Sequence, residues 1–289
     1  MTRLTLDEVN ALDREGFLAR FGGMAEHSPW VAGAAFGRRP FASLTALHAA
    51  MAGAIAAADE GRRLALLNAH PDLAGRAAVA GELTDSSKGE QAAAGLDRLT
   101  AEEMARFQEL NQAYVARFGF PFIMAVRHAD KRQILAAYAR RVGNDRAREF
   151  ATALAEVGKI VWMRLLDTVR PAPTGRLTVH ALDTAAGVPA AGLPIDLFRL
   201  DGGRAHLKTF VTNADGRLDA PALAGMELEA GRYELLFDAA TYFQSAGHAL
   251  AAPPFIEQVP IRFAIANPEQ HYHVPLLVSP WSYSTYRGS

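Results

Sequence analysis

Cysteine is absent from this 289-residue chain. That excludes disulfides, zinc–thiolate centres, iron–sulfur clusters and cysteine nucleophiles. It also fits a reducing compartment, so a cytoplasmic protein is expected. No apolar run is long enough for a bilayer. The strongest, roughly residues 46–58, is interrupted by His48 and reads as a buried helix, so no membrane association is expected. The opening Met-Thr-Arg-Leu-Thr-Leu-Asp-Glu carries acid early and does not read as a signal peptide. Neither sign of charge dominates: 30 Lys and Arg stand against 31 Asp and Glu. Without a basic stripe, a nucleic-acid partner is disfavoured. What remains is an ordinary globular mixture, half hydrophobic and 21% charged, with apolar material for two cores.

The texture changes near residue 170. Before it, Thr5-x-x-Glu8 and Thr100-x-x-Glu103 look like capping boxes, and Pro29 after Ser28 suits a first helical turn. From Asn144 to Thr168, the residues Phe150, Leu154, Val157, Val161 and Leu165 form one stripe of a long amphipathic helix. Pro171-Ala172-Pro173-Thr174-Gly175 then breaks the pattern. Beyond it come short alternating runs, 176–183, 193–200, 206–212, 232–237, 259–266 and 271–279, with turn signals between them and one helical segment near 239–245. A multidomain α and β chain is predicted, with an all-α domain at 1–169, a linker at 170–175 and a β-sandwich at 176–289.

Several polar residues stand in apolar company. Pro71 cannot continue a helix, so His70 falls at a helix end. There it either faces a pocket or simply interacts with exposed carbonyls. Ser87, Glu90 and Gln91 crowd one helical face, yet Ser87-x-x-Glu90 is equally a capping box. In the second half, His180 sits on a strand, and Asp215-Gly216 marks a tight turn before Arg217. His271 and His273 share one strand face, so with His180 a three-histidine zinc site is a conceivable alternative.

Three ordered motifs resemble the OHCU decarboxylases, which act on 2-oxo-4-hydroxy-4-carboxy-5-ureidoimidazoline, an intermediate of urate oxidation. They are His70-Pro71-Asp72-Leu73; Ser87-x-x-Glu90-Gln91 with Ala94-Gly95-Leu96; and Leu110-Asn111-x-x-Tyr114-x-x-x-Phe118-Gly119-Phe120-Pro121-Phe122-Ile123. The resemblance implies an all-helical fold, (S)-allantoin as product, and His70 as acid/base with Glu90 oriented beside it. Pro71, Ser87, Gln91 and the backbone of Phe122, Ile123, Met124, Ala125 and Val126 would bind substrate, and Arg164 matches a family arginine that holds it. The substrate ring can delocalise the charge left by carbon dioxide, so no cofactor is expected. A nearby Glu90 should keep His70 more readily protonated.

Leu177-Thr178-Val179-His180-x-Leu182-Asp183, His271-Tyr272-His273-Val274-Pro275-Leu276-Leu277-x-Ser279-Pro280 and the closing Tyr286-Arg287-Gly288-Ser289 resemble the 5-hydroxyisourate hydrolases, catalytic relatives of transthyretin. This implies a transthyretin-like antiparallel β-sandwich in a homo-oligomer, a tetramer, with sites where two dimers meet. His180, Arg217, His273 and Ser289 would be catalytic and Tyr286, Arg287 and Gly288 would bind substrate, with no metal. His271 belongs to the motif without an assigned role. The terminal tetrapeptide marks the enzymes rather than the hormone carrier. Together the resemblances imply small-molecule substrates and successive steps, the hydrolase supplying the decarboxylase. A carrier without turnover and a purely structural assembly protein are the rival readings.

Overall fold

Both threonine capping boxes close as their spacing predicts: the Thr5 hydroxyl accepts the Glu8 N–H, the Glu8 carboxylate accepts the Thr5 N–H, and Thr100 and Glu103 repeat the exchange. The computed structural model describes residues 2–75, 84–127 and 129–288. The chain divides into two compact units, Met1–Arg170 and Pro171–Ser289.

The first unit is built of α1 (Leu6–Ala11), α2 (Arg14–Phe21), α3 (Pro29–Phe36), α4 (Leu44–Ala57), α5 (Glu60–Asn68), α6 (Asp85–Ala93), α7 (Ala101–Phe118), α8 (Lys131–Arg141) and α9 (Arg146–Thr168). The apolar run read as a buried helix is a helix buried on one face: in α4, Leu44, Leu47, Met51 and Ile55 face the core while Ala49 and Gly53 are exposed. Alanine tolerates either environment, so its abundance overstated the burial. His48 on this helix reaches the Gly158 carbonyl at 2.8 Å. Helix α9 packs against α4, α5 and α7. Its buried face is turned from the predicted stripe. Phe150 and Leu154 are half-buried, whereas Glu149, Ala153, Ile160 and Arg164 lie inside with Val157, Val161 and Leu165. The two charged residues can face inward because each finds charged partners there. Aromatics fill the rest of the core: Phe122 stacks on Tyr138 at 3.7 Å between ring centres, and Phe107, Tyr114 and Phe120 are fully buried. Each such side chain contributes about 1.5–3 kcal/mol on leaving water. Among the described residues, no helix is long and apolar enough to cross a membrane.

The second unit contains β1 (Arg176–Asp183), β2 (Val188–Pro189), β3 (Pro194–Arg199), β4 (Ala205–Val211), β5 (Leu223–Ala224), β6 (Gly231–Phe237), β7 (Val259–Ile265), β8 (His271–Ser279), β9 (Ser282–Thr285) and one helix, α10 (Ala239–Ser245). One sheet runs β2-β1-β8-β9 with β5 also on β1, the other β4-β3-β6-β7. Pairing is antiparallel except between β1 and β8, which run parallel with Thr178 opposite His273 and His180 opposite Pro275. Strand alternation sends Leu177, Val179 and Ala181 into the core and leaves Thr178 and His180 on the outer face. The Pro-rich segment is tied to this unit. The Ala172 N–H donates to the Glu269 carboxylate at 2.8 Å, and the Thr174 hydroxyl to the Glu269 carbonyl at 2.9 Å.

Candidate active sites

His70 lies just past the end of α5. Its Nδ1–H donates to the Leu66 carbonyl at 2.8 Å, closing the helix as an ordinary terminal histidine does. That bond fixes the tautomer and leaves Nε2 as the free nitrogen. Among the described residues Nε2 is buried and without a hydrogen-bond partner. The helix-end and pocket-facing readings therefore both hold. His70 lines a small cavity of about 30 Å³, open to solvent, whose near wall is His70, Pro71, Leu73, Ser87, Glu90 and Gln91. Phe122, Ile123, Met124 and Val126 form the far wall, with Ile160 and Arg164 from α9. Ala125 is not in that lining. Its N–H turns away to the Glu156 carboxylate at 2.9 Å.

The electrostatics differ from expectation. Burial holds the His70 imidazole below its ordinary value, with help from Arg164 and His27, despite the Leu66 hydrogen bond and a raising charge from Glu26. His70 is thus neutral at neutral pH rather than more readily protonated. The carboxylate that acts on it is Glu26, which the sequence did not single out. Glu90 is engaged by Arg164, which donates from Nε and Nη2 at 3.0 Å each. Arg164 Nη1 donates to Glu26 at 2.8 Å and Nη2 also to the Ser87 hydroxyl at 3.1 Å. Nη1 further approaches the Gly23 and Met24 carbonyls at 3.3 and 3.4 Å. A guanidinium has five N–H donors, and here both carboxylates and the hydroxyl engage them. Arg164 ties the wall together, its donors engaged among the described residues, and it also lines the cavity.

Ser87 is not a helix cap. Thr84 caps α6, its hydroxyl accepting the Ser87 N–H at 3.3 Å. This frees the Ser87 hydroxyl to donate to Glu26 at 3.0 Å, and the Thr84 hydroxyl donates to Glu26 at 2.7 Å. Burial pushes the Glu26 carboxyl up, but the Arg164 charge and the hydrogen bonds from Thr84 and Arg164 outweigh it and hold the group ionised. Gln91 braces the loop after His70: its Oε1 accepts the Ala74 N–H at 3.0 Å and its Nε2 donates to the Asp72 carbonyl at 3.4 Å. Asn111 adds a bond to the Leu73 carbonyl at 2.9 Å and itself accepts from Tyr138. The far wall is fixed from behind by Arg141, which donates to the Ile123 carbonyl at 2.7 Å and to Glu149 at 2.8 Å.

In the sandwich, the outer face of β1 and β8 brings His180, Arg217, His273 and Gly288 together. Asn213 shapes the turn that presents Arg217: its Oδ1 accepts the Asp215 and Arg217 N–H groups at 3.0 and 3.1 Å. Gly216 has φ +69° and lies where a Cβ would strike the Ala181 carbonyl, so only glycine fits. The turn then bridges His180 to Arg217. The tail returns to β8 through the Gly288 N–H, which donates to the His273 carbonyl at 3.0 Å, and a Cβ on Gly288 would overlap the His273 ring. Tyr286 is exposed; Arg287 lies over Tyr272 at 5.1 Å and reaches Gln270 at 3.5 Å. Ser289 lies outside the described residues. Burial, and then the charges of Arg217, His271 and His180, hold His273 below the ordinary imidazole value; burial and Arg217 do the same to His180. Asp183 of the same motif is structural, accepting the Ala185 and Ala186 N–H groups and the Tyr242 hydroxyl. Among the described residues, no group of three His, Cys, Asp or Glu side chains is arranged to hold a metal.

A helical unit with a buried neutral imidazole in a carboxylate–guanidinium cavity, joined to a sandwich with a histidine–arginine face, defines a two-site enzyme. The chain belongs to the OHCU decarboxylase family over residues 10–166 and to the HIUase/transthyretin family over residues 177–288. It is 62% identical over 116 residues to the 5-hydroxyisourate hydrolase of Mesorhizobium japonicum, which covers 40% of this chain and 93% of that one. It is 47% identical over 167 residues to the 2-oxo-4-hydroxy-4-carboxy-5-ureidoimidazoline decarboxylase of Haloferax volcanii, covering 58% of this chain and 97% of the relative. A crystal structure of (S)-allantoin synthase aligns with a TM-score of 0.83 at 40% identity, covering 99% of this chain and all (100%) of that one.

Proposed function

We propose that the sandwich hydrolyses 5-hydroxyisourate and that the helical cavity decarboxylates the product to (S)-allantoin, with His70 as a neutral proton carrier in the second step. The two conversions are consecutive steps of urate degradation, and the chain is bifunctional. The observation that carries the decarboxylase reading is the buried Nε2 of His70, which has no hydrogen-bond partner among the described residues and belongs to a residue that lines the cavity.

The substrate bears a hydroxyl and a carboxylate on C4 and a C=N bond at C5. Loss of carbon dioxide moves the bonding pair into a C4=C5 bond and the C=N pair onto the ring nitrogen, which takes a proton from solvent water and leaves an enol. A neutral imidazole then takes the hydroxyl proton and returns it to C5 from the same side, giving the ketone and one hand of the product. The surroundings assist departure. Glu26 and Glu90, two carboxylates, face one guanidinium, so an anionic substrate group is disfavoured relative to neutral carbon dioxide. Pro71, Ser87, Gln91 and the backbone of Phe122, Ile123, Met124 and Val126 would position the ring, and Arg164 acts by holding Ser87 and Glu90 in place.

In the hydrolase site, His273 and His180 orient and deprotonate water, and Arg217 binds the anionic ring through its planar donors. Tyr286, Arg287, Gly288 and Ser289 would complete the pocket. The transthyretin-like fold, with His180 and His273 half-buried and Tyr286 exposed, supports a homo-oligomer; we read it as a tetramer, placed in the cytoplasm. No metal or cofactor enters either step. Freshly generated 5-hydroxyisourate followed by absorbance and circular dichroism tests the scheme. His70→Ala should open the ring at the normal rate but give no optically active product, and His273→Ala should slow the first step. Undiminished (S)-allantoin formation by His70→Ala refutes the role of His70.

A further inference from the structure

The Thr178 hydroxyl stands between two imidazoles, 2.7 Å from Nε2 of His271 and 2.9 Å from Nδ1 of His273. The parallel register produces this placement: Arg176 pairs with His271 and Thr178 with His273, so the threonine projects beside two histidines on one strand face. The two rings are 6.2 Å apart between centres, and the hydroxyl links them. A hydroxyl owns one proton. If Thr178 donates to His271, the nearer nitrogen, then His273 must carry its proton on Nδ1 and its Nε2 is bare. If Thr178 donates to His273, then Nε2 of His273 carries the proton and cannot accept another. A base acting through Nε2 needs the first arrangement.

We propose that Thr178 and His271 are positioning residues of the hydrolase site: the hydroxyl, donating to His271, holds His273 in the tautomer whose Nε2 is open to the attacking water. The inference rests on His273 being the base. The wrong tautomer costs the histidine of a serine-protease triad about 10⁴ in kcat, so a bridge of this kind carries a large lever. It also responds to protonation. An imidazolium His271 has no lone pair, so it must donate to Thr178, which turns the hydroxyl proton away from His271, toward His273 or the Tyr272 carbonyl 3.5 Å away, and releases the lock on the tautomer. Arg176 faces His271, and Arg217 and His180 face His273. Activity should therefore fall on the acid side with two protons rather than one.

The test is ring-opening kinetics against pH on the full chain. Thr178→Val, which keeps the strand's β-branched shape, should lose roughly 10- to 100-fold in kcat with KM little changed, a fraction of the full tautomer cost. Thr178→Ser should recover most of it. His271→Gln can accept from Thr178 but cannot ionise; it should lose less than His271→Ala, and its acid limb should follow one proton. Equal melting temperatures for the valine and serine variants separate this effect from misfolding. Wild-type kcat and acid limb in Thr178→Val overturn the proposal, as does a serine variant that folds normally yet stays slow. Turnover that survives His273→Ala removes the base itself, a failure of the underlying reading that is distinguishable because Thr178→Val is then also silent.

Discussion

Glu26→Gln isolates what a buried carboxylate does for the decarboxylase cavity. Glu26 is 1% exposed and lies 2.8 Å from Arg164. At an effective dielectric of about 20, that separation corresponds to roughly 6 kcal/mol of attraction. Desolvation of the two groups offsets much of it, and Arg164 keeps Glu90 after the change, so the loss falls at the low end of the ~3–5 kcal/mol typical of stranding a buried charge. Glutamine preserves volume but must turn an NH₂ toward donors now served by a carboxylate. We expect a net loss of about 3 kcal/mol. For a unit of this size that lowers the melting transition by about 6–12 °C. The charge also acts on His70. Glu26 raises the imidazole pKa, so its removal lowers a value already below 6.5. Because the neutral ring is the active form, decarboxylation is full above that pKa and declines as pH falls through it. The variant's acid limb should move to lower pH while turnover drops. Thermal circular dichroism and a pH–rate profile on supplied substrate are the assays. A wild-type melt, or a limb that moves upward, would refute the reasoning.

Three further outcomes follow from the same contacts. Gly288→Ala places a methyl against the His273 ring, and a displacement of this order should slow ring opening by at least about tenfold, leaving decarboxylation of supplied intermediate unchanged. Arg141→Met strands Glu149 beside Tyr114 and Asn144; a stability loss of about 3–5 kcal/mol should show in denaturant unfolding, with a raised KM for decarboxylation as the Ile123 carbonyl loses its donor. Chelator treatment should leave hydrolysis unchanged, measured by the decay of 5-hydroxyisourate absorbance; activity lost and then restored by zinc would favour the three-histidine alternative.

The long alternations of β1 and β8 and the span of α10 were legible to the residue, because sustained period-2 and helical patterns encode their own limits. Strands β2, β5 and β9 were not, since two to four residues carry no periodicity. Parallel pairing of β1 with β8 is likewise invisible in pattern, and it is that pairing that brings Thr178 against His273. Motif resemblance gathered His70, Ser87, Glu90, Gln91 and Arg164, and the cavity brings them together. Their division of labour was hidden. Glu26 precedes Ser28-Pro29 and locally reads as acid near a helix start; only its distant partner on α9 reveals it. Since those partners lie 138 residues apart, no local spacing could show that Arg164 is saturated or that Glu90 faces the arginine instead of the imidazole.

The saturated guanidinium sets the terms for inhibitor design. A compound that copies the departing carboxylate meets Glu90 in the lining and an arginine whose donors are already engaged by Glu26, Glu90 and Ser87. An uncharged or weakly cationic mimic with an N–H aimed at the imidazole lone pair matches the cavity better, so tight ligands should look like the molecule after decarboxylation rather than before it.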